Sequence, residues 1–194
     1  MKVVIIKYNA GNVQSVQFAL QRLGIEAAIT DQTEQIQQAD RVIFPGVGEA
    51  SSTMEYLKSK RLDEVIINLK QPVLGICLGM QLMCSHSDEN DTNCLGIFEE
   101  DVKKFISSND IKVPHIGWNQ LQLTTDWLPN ALHGEHAYFV HSFYVPVNVY
   151  TTAAAEYGVP FSAAMRKNNF YAVQFHPEKS AKTGEIILEK FMSV

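Results

Sequence analysis

Gly75-Ile76-Cys77-Leu78-Gly79 governs every later reading of this chain. The apolar run Pro72-Val73-Leu74 before it has the composition of a buried strand. Met80-Gln81-Leu82-Met83 after it reads as the first turns of a helix. Gly-x-Cys-x-Gly between strand and helix is the cysteine form of a nucleophile elbow. So tight a turn holds the nucleophile in a strained backbone conformation, and the flanking glycines let neighbouring chain pass close by. A helix N-terminus carries partial positive charge that favours thiolate over thiol, so Cys77 is expected to be activated before any base acts. A lone cysteine is more often a buried structural residue. The flanking glycines move the reading to a nucleophile.

The bulk properties fit a soluble globular protein. A chain of 194 residues is long enough for one domain with a real core, expected to span 1–194. Hydrophobic residues at 46% and charged residues at 19% argue against disorder. The net charge is -5, from 16 basic and 21 acidic residues, with no basic cluster, so nucleic acid is not an expected partner. No apolar run approaches the ~20 residues of a membrane span. Val3 to Ile6 before Lys7 is too short for a signal segment. Cysteines number 3, an odd count that suggests no disulfide framework and fits a reducing cytoplasm.

Outward from the elbow, the first half alternates strand and helix. Lys2 to Tyr8 reads as a first strand, and Asn9-Ala10-Gly11-Asn12 as a turn whose Asn12 can cap the next helix. Val13, Val16, Leu20 and Leu23, with Phe18 and Ala19 beside them, give that helix an apolar face, and Gly24 ends it. Strands are expected at Ile25–Ile29 and Arg41–Phe44, and helices around Ser52–Lys58 and Leu62–Leu69. This order implies an α/β fold: an open, mostly parallel, flavodoxin-like sheet with helices on both faces and a site at the carboxyl ends of its strands. The second half changes character. Val102–Phe105, Trp118–Leu123, Ala137–Val145, Val149–Tyr157, Phe161–Lys167 and Phe170–Phe175 come at hairpin spacing. Val159-Pro160 and Lys167-Asn168-Asn169 are turn signals, so an antiparallel extension is expected to rejoin the main sheet. Lys182 to Met192 closes the chain as an amphipathic helix.

Two stretches supply partners for Cys77. Phe175-His176-Pro177-Glu178-Lys179-Ser180 follows the last strand. Residues two apart in an extended segment share a side, so Glu178 can fix the tautomer of His176 while His176 faces Cys77. Pro45-Gly46-Val47-Gly48 follows the third strand, where such a fold needs its second oxyanion donor; the first is the Leu78 N–H. The same stretch also reads as an ordinary turn. Zinc is the rival chemistry, but of the six histidines only His133 and His136 are close in sequence, and their glycine-containing turn reads as solvated; no metal or cofactor is expected. Trp118 and the run 139–144 read as core on their pattern alone.

Together the elbow, the Pro45–Gly48 loop and His176-Pro177-Glu178 resemble the class I (triad) glutamine amidotransferases. Gly11-Asn12, Pro114-His115-Ile116-Gly117-Trp118-Asn119, Tyr138-Phe139-Val140-His141-Ser142 and Gln174 to Ser180 narrow the resemblance to the glutaminase subunits of imidazole glycerol phosphate synthases, and it runs from Lys2 to the last helix. The resemblance implies that Cys77 attacks the side-chain amide of L-glutamine to give a thioester and ammonia. It implies that Gln81 and Glu89 hold the substrate's α-amino and α-carboxylate ends, that Gly46 and Gly48 flank it, and that the backbone at Ser142 and Phe143 lies along it. It also implies a cyclase partner with a (βα)8 barrel, forming a heterodimer through Asn12, Trp118, Tyr138 and Lys179. The family's first motif commonly reads Asp-Tyr-Gly, whereas here it is Lys7-Tyr8-Asn9, which reverses a charge at that edge. Other readings stay open at this point: a paralogue serving surface-sugar synthesis, a non-catalytic binding subunit, or a free-standing thiol hydrolase of γ-glutamyl compounds.

Overall fold

The computed structural model describes residues 1–8, 13–109, 111–124 and 127–194. The elements are β1 Val3–Ile6, α1 Val13–Arg22, β2 Ala27–Thr30, α2 Thr33–Gln37, β3 Arg41–Phe44, α3 Ala50–Ser59, α4 Leu62–Ile67, β4 Val73–Ile76 and α5 Leu78–Leu82. After them come β5 His86–Ser87, β6 Thr92–Asn93, β7 Asp101–Lys104, β8 His115–Gln120, β9 Gln122–Leu123, β10 His136–His141, β11 Phe143–Tyr144, β12 Thr151–Tyr157, β13 Val159–Lys167, β14 Phe170–Val173 and α6 Ala181–Ser193.

Among the described residues the main sheet runs β2-β1-β3-β4-β14-β13-β12-β9. β2, β1, β3, β4 and β14 are parallel neighbours, whereas β13, β12 and β9 add on in antiparallel fashion. The expected mostly parallel sheet with an antiparallel extension is therefore present. Strands buried on both faces read as continuous apolar runs, and β1 and β4 are buried throughout. Alternate residues go to opposite layers. Val3 and Ile5 pack with Leu20 of α1 and Leu188 of α6, and Val4 and Ile6 with Leu57 of α3 and Ile66 of α4. Two smaller sheets, β10-β8 and β11-β7-β5-β6, sit beside this frame.

Some expectations change in detail. Phe18 is 55% exposed, so the buried stripe of α1 is Val16, Ala19 and Leu20. The β12–β13 hairpin turns at Gly158, with φ +71, and Val159-Pro160 already belongs to β13. The cyclic Pro160 marks the strand's start, where a missing N–H does least harm. Helix α2 and the short pair β5–β6 carry too little periodicity to be read in advance. The proposed cap Asn12 lies outside the described residues.

Candidate active site

Cys77 leaves β4 with φ 51 and ψ -108, a conformation that L side chains rarely adopt. It is held there by its own N–H, which donates to the Val173 carbonyl at 2.8 Å, and by the Gln81 N–H, which donates to the Cys77 carbonyl at 3.1 Å. The elbow glycines are required by close approach. A Cβ on Gly79 would lie 2.1 Å from the Phe44 carbonyl oxygen, and one on Gly46 would lie 2.2 Å from the Gly79 nitrogen. The loop after β3 is thus pressed directly onto the elbow. Helix α5 spans only Leu78–Leu82, so the helix expected after Cys77 is little more than a single turn. What it offers the sulfur is its unpaired first N–H groups more than a macrodipole.

His176 and Glu178 follow β14. His176 Nδ1 and Glu178 Oε1 are 2.7 Å apart, with side chains 1% and 0% exposed. The segment Pro177–Lys179 is a 3-10 turn, so a tight turn, not an extended strand, brings the two together. A Cβ on Gly184 would lie 1.8 Å from the Pro177 carbonyl oxygen, which is why α6 can clamp this turn. Burial lowers the basicity of His176, but the Cys77 sulfur and the Glu178 carboxylate outweigh it and raise its pKa to about 10. Nε2 closes no hydrogen bond of good geometry among the described residues.

A cleft of about 320 Å³ opens over the sulfur. Its lining brings together Gly46, Val47, Gly48, Cys77, Leu78, Gln81, Glu89, Ser142, Phe143 and His176. Pro114, Val140 and His141 line it too, and were not singled out as site residues from the sequence. Their pattern alone, apolar and aromatic along strands, is that of core, and only the crossing of β10 behind the elbow reveals them. His141 Nδ1 meets the Phe143 carbonyl at 2.7 Å and its Nε2 meets His115 Nδ1 at 3.0 Å. Burial lowers the pKa of His141 to about 3 and that of His115 to about 4, so both rings are neutral. Glu89 Oε2 accepts from the Ala50 N–H at 2.8 Å, at the start of α3, and burial raises its pKa.

The Pro45–Gly48 loop is tied to β1. The Tyr8 hydroxyl donates to the Pro45 carbonyl and has the Val47 backbone beside it. Burial, then the nearby Cys77, pushes the Tyr8 pKa far up, so the hydroxyl stays neutral.

Of the residues expected at a partner surface, Trp118, Tyr138 and Lys179 lie near the turn that carries His176. Trp118 is 53% exposed, and its ring meets Tyr138 edge-on at 5.9 Å. The Tyr138 carbonyl accepts from the His176 N–H at 2.9 Å, and the Tyr138 N–H donates to Ser180 Oγ at 2.9 Å. Lys179 is exposed on the same turn. Asn12 lies outside the described residues. No group of three or more metal-ligating side chains is found among the described residues.

A model of the glutamine amidotransferase class-I family matches residues 4–194, and the chain belongs to that family. Among its relatives, the imidazole glycerol phosphate synthase subunit HisH of Bacteroides thetaiotaomicron is 58% identical over 100% of both chains. The protein of the same name from Idiomarina loihiensis is 48% identical over 100% of this chain and 98% of its own. Two solved structures share the fold. One glutamine amidotransferase matches with TM-score 0.76 and 18% identity, covering 98% of this chain and 97% of that one. Another, from Thermotoga maritima, matches with TM-score 0.64 and 16% identity, covering 100% and 83%.

Proposed function

We propose that this chain, as a single domain over residues 1–194, is the glutaminase subunit of an imidazole glycerol phosphate synthase. It hydrolyses L-glutamine to glutamate and ammonia for a cyclase partner in histidine biosynthesis. The observation that carries the chemistry is the convergence of Cys77, His176 and Glu178 at one end of the sheet, under a cleft of substrate size. Full-length identity to proteins bearing that subunit's name supports the pathway. A cytoplasmic setting fits the three free thiols, and no described helix is long and apolar enough to cross a membrane.

The Cys77 sulfur adds to the side-chain amide carbon of glutamine, and the carbonyl electrons move onto oxygen. His176, oriented by Glu178, gives its proton to the amide nitrogen; the C–N bond breaks, ammonia leaves and a γ-glutamyl thioester remains. Water then loses a proton to His176 and adds to the thioester, and the C–S bond breaks to release glutamate. The Leu78 N–H is one oxyanion donor, and the Val47 N–H becomes the second once the loop turns it toward the sulfur. Gln81 donates both amide protons inside the protein, to the Phe143 carbonyl at 2.8 Å and Gln174 Oε1 at 3.0 Å. It therefore offers the cleft only an acceptor, and with the Glu89 carboxylate it suits the substrate's α-ammonium group. Gly46, Gly48, Ser142 and Phe143 frame the substrate chain.

The cyclase, a (βα)8 barrel, docks over Trp118, Tyr138, Lys179 and Asn12. Loop 45–48 turns Val47 when the barrel holds its acceptor, so the isolated chain is slow. The test is Cys77→Ala in the assembled synthase. Glutamine-dependent turnover is abolished, while ammonium salt at high pH still drives synthesis. Substantial glutamine-dependent turnover by that variant would overturn the assignment, and an active ammonia route with no barrel cyclase bound would overturn the partner.

A further inference from the structure

Gln174 is fully buried, just before His176 in the chain, and nothing in the chemistry described so far employs it. Its side-chain Nε2 lies 3.6 Å from Cys77 Sγ. Which end of a glutamine amide faces a neighbour is ordinarily a matter of inference. Here a backbone group settles it. The Phe143 carbonyl can only accept, so Gln81 must turn its NH2 toward it, at 2.8 Å. The other N–H of that NH2 then points at Gln174 across 3.0 Å, so Gln174 must present its oxygen there. Its NH2 is left facing the sulfur. His141 holds the same Phe143 carbonyl from the other side, through Nδ1 at 2.7 Å. The direction of the last donor is thus propagated from a fixed carbonyl through two buried amides.

We propose that Gln174 is a positioning residue for the nucleophile, one that donates a hydrogen bond to the Cys77 sulfur and favours its thiolate. The need for such a donor is local. As a thiol, Cys77 lies 3.8 Å from the Val140 carbonyl, an oxygen that suits S–H and opposes S⁻. A donor on the sulfur shifts that balance toward the charged form. It also leaves His176 free to approach from its own side, so one neighbour steadies the sulfur while the other moves the proton. The ionisable groups around the sulfur are Tyr8 from the end of β1, His141 from β10, and His176 with Glu178 behind it. Tyr8 and His141 are held neutral, so they do not replace the donor.

This inference rests on Cys77 being the glutaminase nucleophile, but its test does not. Gln174→Met keeps side-chain length and removes the donor. On the full chain, without glutamine or partner, iodoacetamide alkylation of Cys77 is followed against pH, with Cys77→Ala giving the background from Cys84 and Cys94. The variant is expected to react about tenfold more slowly near neutral pH, the scale of one hydrogen bond to a charged group, and its profile to move to higher pH. A profile superimposed on that of the native chain, with an unchanged melting temperature, would return Gln174 to a packing role. Should Gln174→Met fail to fold, the native chain decides: the side-chain ¹⁵N signal of Gln174 is expected to move as Cys77 titrates, and a signal blind to that titration overturns the proposal. A shifted alkylation profile in a chain that hydrolyses no glutamine would sink the activity and leave this role standing.

Discussion

His176 and His141 line the same cleft, and both are buried, yet they are driven in opposite directions. His176, on the turn after β14, is raised to about 10; His141, at the end of β10, is lowered to about 3. Burial penalises the charged ring in both. The difference lies in the partners. His176 has a carboxylate 2.7 Å from Nδ1 and a sulfur facing its other side. His141 has a backbone carbonyl and a second neutral imidazole. One site is therefore built to carry a proton, and the other to hold a shape. Neighbours, not depth, assign the roles.

The largest test of this division compares substitutions at the two rings. His176→Asn is expected to lower the glutaminase rate of the assembled synthase by roughly 10²–10⁴, the range of a lost general acid and base. Glu178→Gln, which keeps a hydrogen-bonding partner but removes the charge, is expected to cost less. His141→Leu is expected to act mainly on stability, by about 1–3 kcal/mol, because it orphans a buried His115 nitrogen. A loss of turnover at His141→Leu equal to that at His176→Asn, in a folded protein, would erase the distinction.

Tyr8 falls on the same side as His141, a neutral buried group that fixes backbone. Beside it lies Val47, whose N–H is the proposed second oxyanion donor, and a missing donor of that kind costs roughly 10²–10³ in rate. Tyr8→Phe removes the hydroxyl that ties the loop at Pro45 and should raise the partner-free glutaminase rate, by about tenfold if part of the loop population is released. The partner-stimulated rate should change little. An unchanged or lower basal rate in a folded Tyr8→Phe variant would show that Tyr8 does not restrain the loop.

The smallest effect is on stability against pH. His141 and His115 have folded pKa values of about 3 and about 4, below the ~6.5 of an unfolded chain, so the unfolded state binds more protons between those limits. Their contribution is whole above pH ~6.5 and is lost as pH falls toward 3–4. His176 has the opposite sign: its contribution is whole below pH ~6.5 and is lost as pH rises through about 10. Melting temperatures should therefore decline on both sides of neutrality. Glu178→Gln should flatten only the alkaline limb, and an unaltered alkaline limb in that variant would contradict the raised His176.

The grouping of Cys77, His176 and Glu178 was legible in the sequence because each sits in a local pattern whose geometry follows from a few bonds. Gly75 to Gly79 can make the turn because Gly79 admits the Phe44 backbone, and His176-Pro177-Glu178 spans one turn whichever way it bends. The parallel half was legible for the same reason, since strand, turn and helix alternate over short distances. Phe18 was misread because a helix stripe says which residues are apolar, not which of them a sheet covers. His141, Val140, Pro114 and Gln174 were out of reach. They come from segments far apart in the chain, and only the antiparallel pairing of β8 with β10 and the seating of β14 beside β4 bring them to the sulfur. The amide of Gln174 makes the point at the scale of a single bond. Its composition allows either end to face Cys77, and the choice is made by a carbonyl at Phe143, through the side chain of Gln81. Residue types and local spacing specify what chemistry is available; burial and long-range contacts specify the protonation state and the direction in which it is used.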